Sequence, residues 1–271
     1  MFPYFILFGK TISTYMLAAL VGIFASGIFV YAYSKKKGID EIEMIVMMLV
    51  AAVGGLIGSH ILYGLVNFNY IIILIDNFEK VTSFSMFIDC LKEIFGGAVF
   101  YGGLIGGLIA GYIYAKNKKL DIGKYSDIAA VSIPLMHCFG RIGCFLGGCC
   151  YGVESHLGFT YTHSLIEEAN GISRFPIQLL EALLNLILFF ILFYILKKSL
   201  CAGKIIFIYL FTYPVIRFTL EFWRGDSIRG FIFGLSTSQF ISIFIFIFAI
   251  IMFIYKTRAN NISKTQKQPL R

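Results

Sequence analysis

Charge is scarce in this chain. Only 14% of its 271 residues are Asp, Glu, Lys or Arg, against 58% hydrophobic residues, and the mean hydropathy is +0.82. A soluble domain of this length has no core large enough to hide that balance. Low-complexity blocks, internal repeats and a soluble domain are also missing, which excludes a disordered linker protein or a repeat array. The cysteines near residue 145 lack the second pair of a zinc-finger spacing, so the sequence assigns no metal and leaves zinc there as an alternative ranked below a disulfide. Histidine is sparse too, and within the apolar runs only His60 and His137 offer an imidazole.

What is present is apolar sequence in runs long enough to cross a hydrocarbon layer of about 30 Å. They fall at Thr11–Tyr33, Glu43–Val66, Ala98–Ala115, Ile128–Phe145, Leu179–Leu196, Ile205–Leu220 and Gln239–Tyr255. This pattern predicts an all-α polytopic membrane protein of seven transmembrane helices, with residues 1–271 as a single transmembrane domain. The first run is longer than a secretory signal core and meets Ser34-Lys35-Lys36-Lys37 at once, so it is expected to stay as a span.

Lysine and arginine set the orientation. If the N-terminus lies outside, 15 of the 23 basic residues fall in cytoplasmic loops and in the tail 256–271, so the positive-inside rule gives N-out and C-in. The net charge of +8 is then explained by topology and lipid headgroups, and nucleic acid is not an expected partner. Two outside loops remain, 67–95 with the short apolar stretch Tyr70–Ile75, expected to be interfacial, and the polar 147–174.

Chemistry concentrates in three segments. Gly140-Arg141-Ile142-Gly143-Cys144-Phe145-Leu146-Gly147-Gly148-Cys149-Cys150-Tyr151-Gly152 places an arginine and three thiols at the end of a span, and charge at bilayer depth is kept mainly where it pairs or binds something. Arg217, Glu221 and Arg224 share a face if their segment is helical, with Arg229 beyond. One carboxylate cannot neutralise two guanidiniums, and with Arg141 the surplus suits a phosphate; an interfacial cluster meeting lipid headgroups is the bland alternative. Arg174-Phe175-Pro176-Ile177-Gln178-Leu179-Leu180-Glu181 opens the fifth span, with Gln178 and Glu181 as helix-start hydrogen-bonding groups or as supports of the site. Cys90 and Cys201 read as incidental thiols and Cys138 as packing. Cys149 and Cys150 face the side where disulfides are permitted, as a disulfide or packed pair. An activated thiol beside Arg141 is the sharper alternative.

Taken in order, these residues resemble the prolipoprotein diacylglyceryl transferases. Thr14-Tyr15 stands for the family's Trp-Tyr, and Gly97 to Gly107 for its His/Tyr-Gly-Gly segment. Gly140-Arg141-Ile142-Gly143 opens its signature, Arg174 to Glu181 matches Arg-x-Pro-x-Gln-x-x-Glu, and Arg217-x-x-x-Glu221-x-x-Arg224 its last arginine motif. The departures are Cys144 at an asparagine position, Gly147 at the next, Cys149 at a glutamate position, Tyr101 where some members have histidine, and His60 where arginine is common.

The resemblance implies a multi-pass enzyme of the bacterial cytoplasmic (inner) membrane. It would move a diacylglyceryl group from phosphatidylglycerol to the lipobox cysteine of a prolipoprotein signal peptide, or to another thiol acceptor, with membrane lipids around it. The acceptor thiolate attacks the glycerol carbon bearing the phosphodiester, glycerol phosphate leaves and a thioether forms, with no cofactor required. Arg141 with Arg217 or Arg224 would hold the phosphate, Glu221 would orient the arginines, and Tyr15 and Tyr101 would position the headgroup. Gly102, Gly103 and Gly152 would approach the substrate, and Cys144 would fill the asparagine position. His60, Gln178, Glu181, Cys149 and Cys150 would support the site. The alternatives are a relative with a different acceptor, a non-catalytic phospholipid-binding protein, and a thiol-redox protein around Cys149-Cys150. The last does not require the arginine and glutamate set that is present.

Overall fold

The computed structural model describes residues 1–164, 166–226 and 231–265; Arg229 and the end of the basic tail lie outside them. A hairpin of β1 (Tyr4–Leu7) and β2 (Lys10–Ser13) precedes α1 (Thr14–Lys36), followed by α2 (Glu41–Val66), α3 (Phe68–Asp76), α4 (Phe84–Phe95), α5 (Phe100–Asn117) and α6 (Ile122–Gly147). Then come β3 (Glu154–Thr160), β4 (Ser173–Arg174), α7 (Ile177–Lys197), α8 (Ile205–Leu220), β5 (Phe231–Ile232), β6 (Leu235–Ser236) and α9 (Thr237–Thr265).

Among the described residues six helices are long and apolar enough to cross a membrane, namely α1, α2, α6, α7, α8 continued to Trp223, and α9. The seventh expected run is α5. It meets α4 at 98°, and the two reach a membrane-crossing length only as a bent pair, so the count is six, or seven with that pair. Large apolar side chains such as Phe24, Ile28, Leu56, Phe190 and Ile251 stand exposed on these helices. Water would penalise such faces and a hydrocarbon solvent would not. The sequence places Thr11 to Ser13 inside the first span, whereas they form β2, because Phe8 and Gly9 take left-handed φ values and reverse the chain ahead of the helix. The 67–95 segment is helical in α3 and α4 rather than a loop.

The chain forms two compact units, Met1–Gly38 with Gly123–Arg271, and Ile39–Ile122. In the larger one, α1 lies against α6, where Gly22 admits Phe139 and Gly143 admits Tyr15 and Ala18. The Phe2 amide donates to the Leu146 carbonyl at 3.1 Å and ties the N-terminal hairpin to the end of α6. Buried Asp127 at the start of α6 accepts from the amides of Gly203 and Ile205, at 2.5 and 2.8 Å, which fixes the entry of α8. Ser236 and Gln239 form a reciprocal capping box at the start of α9.

In the smaller unit, Asp40 caps α2 through the amides of Ile42 and Glu43. Gly54, Gly55 and Gly58 of α2 then meet Gly102, Gly103 and Gly106 of α5 backbone to backbone. His60 Nδ1 lies 2.8 Å from both the Phe95 and Gly97 carbonyls and holds the break between α4 and α5.

The seam generates a graded prediction. A Cβ on Gly102 overlaps the Gly58 carbonyl oxygen, whereas one on Gly103 meets the Gly55 carbonyl at 3.4 Å and Ser59 at 3.7 Å. Gly102→Ala should lower stability by about 1–3 kcal/mol and Gly103→Ala by much less. Thermal denaturation in detergent checks this, and equal midpoints for the two variants would count against the seam.

Candidate active site

The larger unit gathers its buried charge on one side of three helices. On α6, His137 and Arg141 are four residues apart and share a face; on α7 it is Gln178 and Glu181, and on α8 Tyr209, Tyr213 and Arg217. Glu181, only 2% exposed, is the meeting point. Its Oε2 lies 3.0 Å from Arg141 Nε, its Oε1 lies 3.7 Å from His137 Nε2, and Tyr213 Oη donates to Oε1 at 3.3 Å. Arg141 Nε also donates to His137 Nε2 at 3.2 Å, and the His137 ring packs on Tyr213 at 5.1 Å between centroids. The charges of Arg217 and Arg224 reach Glu181 as well.

Each arginine has its own carboxylate. Arg217 Nη2 pairs with Glu221 at 2.6 Å, four residues on, and donates to Ser238 at 3.2 Å. The helix expected to carry Glu221 on to Arg224 stops at Leu220, a single 3-10 turn follows, and Arg224 is extended. Arg224 therefore makes a two-pronged pair with Asp226, Nε at 3.0 Å and Nη2 at 2.6 Å. The expected surplus of positive charge within this motif is accordingly corrected, since Asp226 supplies the missing carboxylate. What is in surplus is hydrogen-bond donors. A guanidinium has five N–H groups and a carboxylate fills one or two, and Arg217 Nη1 is buried with no hydrogen-bond partner among the described residues.

The loop after α6 closes one end of this cluster. Gly148 and Cys150 both take left-handed φ, +77° and +57°, and turn the chain back so that the Cys149 amide donates to the Cys144 carbonyl at 3.1 Å. Gln178 Nε2 donates to the Cys149 carbonyl at 2.8 Å and to Tyr161 Oη at 2.9 Å. Gly152 bridges to Arg224 as a short antiparallel pair, and a Cβ there would overlap the Phe175 carbonyl, so its smallness serves backbone contact. Arg174 lies 4.3 Å over the Tyr151 ring and donates to the Glu168 carbonyl at 2.9 Å.

Among the described residues the sulfur atoms of Cys144, Cys149 and Cys150 lie within 4.8 Å of one another, and no disulfide joins any of the six cysteines. Hydrogen bonding from Cys144 and Cys149, aided by the Arg224 and Arg141 charges, holds the Cys150 thiol well below its ordinary value. The same hydrogen bonding pushes the Cys149 thiol up. Burial works against the charge on Arg224, but Cys150 and Asp226 outweigh it and hold that guanidinium above its usual range.

Of the residues singled out in the sequence, Arg141 pairs with Glu181, the charges of Arg217 and Arg224 reach it, and Gln178 lies one turn earlier on the same helix. Cys144, Cys149 and Cys150 form the thiol group, and the charges of Arg141, Cys144 and Cys149 bear on Tyr15, which packs on Gly143. His60, Tyr101, Gly102 and Gly103 belong to the smaller unit; there His60 binds backbone carbonyls, Gly102 packs on Gly58 and Tyr101 is buried. Sequence reasoning missed Asp226, Tyr213 and Tyr161, and gave Glu181 too small a part. The four-residue steps Tyr209-Tyr213-Arg217 and His137-Arg141 were the available signal.

The model of the prolipoprotein diacylglyceryl transferase family matches residues 3–255. A phosphatidylglycerol–prolipoprotein diacylglyceryl transferase of Clostridium tetani is 38% identical over 266 residues, spanning 97% of this chain and 98% of its own. Relatives of the same name are 29% identical in Clostridioides difficile, over 96% of this chain and 98% of theirs, and, as transferase 2, in Clostridium perfringens, over 91% and 92%. The chain belongs to the prolipoprotein diacylglyceryl transferase family.

The buried pair sets a stability prediction. Glu181→Gln leaves the Arg141 guanidinium buried without its carboxylate and should cost about 3–5 kcal/mol. Adding Arg141→Gln should recover a large part, since the stranded charge is then gone. Chemical denaturation of the two single variants and the double variant in detergent reads the coupling; strictly additive losses would argue against the pair.

Proposed function

We propose that this member of the family is the phosphatidylglycerol-dependent transferase that alkylates the lipobox cysteine of prolipoproteins, and that Arg141, Arg217 and Arg224 hold the headgroup phosphate. The observation that carries this reading is that Arg141 contacts buried Glu181, the charges of Arg217 and Arg224 also reach it, and Arg217 Nη1 has no hydrogen-bond partner among the described residues. A buried cationic donor left unmet costs about 1–3 kcal/mol or more, and a phosphate oxygen meets that need. In the displacement the acceptor sulfur bonds to the glycerol carbon, the carbon–oxygen bond to phosphate breaks, and its electron pair leaves with glycerol phosphate. Guanidiniums fixed beforehand stabilise that departing charge.

Acyl tails need an apolar channel. Phe211, Thr212, Val215 and Ile216 of α8, with Phe246 and Ile250 of α9, line a groove of about 560 Å³ that would take them. The acceptor is the signal-peptide thiol of a prolipoprotein, the membrane is the bacterial inner membrane, and the N-terminus lies outside.

Arg141→Lys and Arg217→Lys keep the charge and lose the fork of donors. Each should lower diacylglyceryl transfer from phosphatidylglycerol vesicles to a lipobox peptide, followed by mass spectrometry, by about a hundredfold, with thermal midpoints close to wild type. Transfer at the wild-type rate in both would remove the phosphate role.

Orientation is read separately. In intact cells a membrane-impermeant maleimide should label His163→Cys and leave Lys116→Cys unlabelled, relative to the parent with its native cysteines. Labelling of both would overturn the N-out topology.

A further inference from the structure

The spacing Cys144-x4-Cys149-Cys150 does not look like a metal site in the sequence, but the fold brings the three sulfurs together. All lie within 4.8 Å of one another. Tetrahedral thiolate coordination with zinc–sulfur bonds of about 2.3 Å places sulfurs about 3.8 Å apart, so side-chain rotation covers the difference. The loop is shaped for this convergence. Cys150 holds a left-handed backbone, a conformation that strains a residue with a Cβ, and Gln178 fixes the Cys149 carbonyl. Among the described residues no histidine, aspartate or glutamate joins the group, so the chain offers three ligands. Closed structural zinc sites use four protein ligands, whereas sites that react keep the fourth position for water or substrate.

We infer that Cys144, Cys149 and Cys150 bind a soft four-coordinate cation of the zinc class as thiolates, and that the fourth position takes the acceptor thiol. This rests on the transferase reading, whose acceptor is itself a thiol. Coordination releases the acceptor proton to water and leaves the sulfur as the nucleophile at neutral pH. The sulfur then bonds to the glycerol carbon, glycerol phosphate departs with the electrons of the broken carbon–oxygen bond, and the thioether, a poorer ligand, leaves the cation in place. Three thiolates and a divalent cation carry one net negative charge, and the guanidiniums of Arg141 and Arg224 both act electrostatically on Cys150. The sequence alone had Cys144 standing in for an asparagine; the meeting of the sulfurs gives it a ligand's part instead.

Cobalt(II) titration of purified, reduced, chelator-treated protein tests the site without any turnover. Thiolate-to-cobalt charge-transfer absorbance should saturate at one ion per chain in wild type and in Cys90→Ser. Cys144→Ser, Cys149→Ser and Cys150→Ser should each weaken it at least tenfold at unchanged thermal midpoints. No charge-transfer band in wild type would overturn the site. Transfer from phosphatidylglycerol should fall at least tenfold on stripping and return with zinc, and equal transfer by stripped and zinc-loaded protein would overturn the activating role. Transfer absent in every metal state would instead sink the transferase reading, and the cobalt band would still decide the site.

Discussion

The arrangement of the larger unit depends on burying Glu181. A carboxylate taken out of water costs several kcal/mol unless cations and donors surround it, so the three helices are held at the rotations that supply them. Arg141 and His137 come from α6, and Tyr213 and Arg217 from α8. One turn earlier on α7, Gln178 uses the same face to fasten the Cys149 carbonyl and Tyr161. A rotation of α7 by a single residue would strand the carboxylate and release the loop together. In hydrocarbon, where apolar packing alone discriminates weakly between helix faces, this polar contact supplies the register.

The pairing of Arg141, Arg217 and Arg224 each with its own carboxylate bears on the chemistry. A net surplus of charge would bind any anion; a nearly neutral cluster with spare N–H donors favours a ligand that arrives with little charge and gains it during reaction. A phosphodiester carries one negative charge and departs as a monoester carrying nearly two. On the proposed reading the donors interact more strongly with the departing group than with the bound lipid, the differential that accelerates a step rather than only tightening binding.

Much of this was legible in the sequence. Most helix ends followed from the apolar runs within about three residues, because a segment that must satisfy its backbone in lipid has little choice but helix, while α6 starts at Ile122 and α9 runs on to Thr265, past the apolar stretch at each of those ends. The Gly54 to Gly58 and Gly102 to Gly106 seam also declared itself, although Gly102, expected near substrate, packs on Gly58. Three features were hidden because each depends on where the chain turns rather than on what it contains. Arg224 finds Asp226 because the helix ends at Leu220; the bend between α4 and α5 depends on His60 reaching two carbonyls 35 and 37 residues away; and the cysteines meet only because Gly148 and Cys150 are left-handed.

That last turn links the two halves of the site. Arg141 and Cys144 are three residues apart on α6, an advance of about 4.5 Å along one face, so on the proposed reading the helix itself spaces the phosphate at the guanidinium from the nucleophile at the thiols. Cys149 and Cys150 complete the thiol side only while the loop is pinned by Gln178 and by the backbone bridge between Gly152 and Arg224. Arg224 thus serves both halves. Its backbone anchors the loop that carries Cys150, and its guanidinium, paired with Asp226, sends its field to Cys150 on one side and Glu181 on the other. A change that frees Arg224 from Asp226 would act on the proposed thiol and phosphate sites together, so on this reading neither can be adjusted independently of the other.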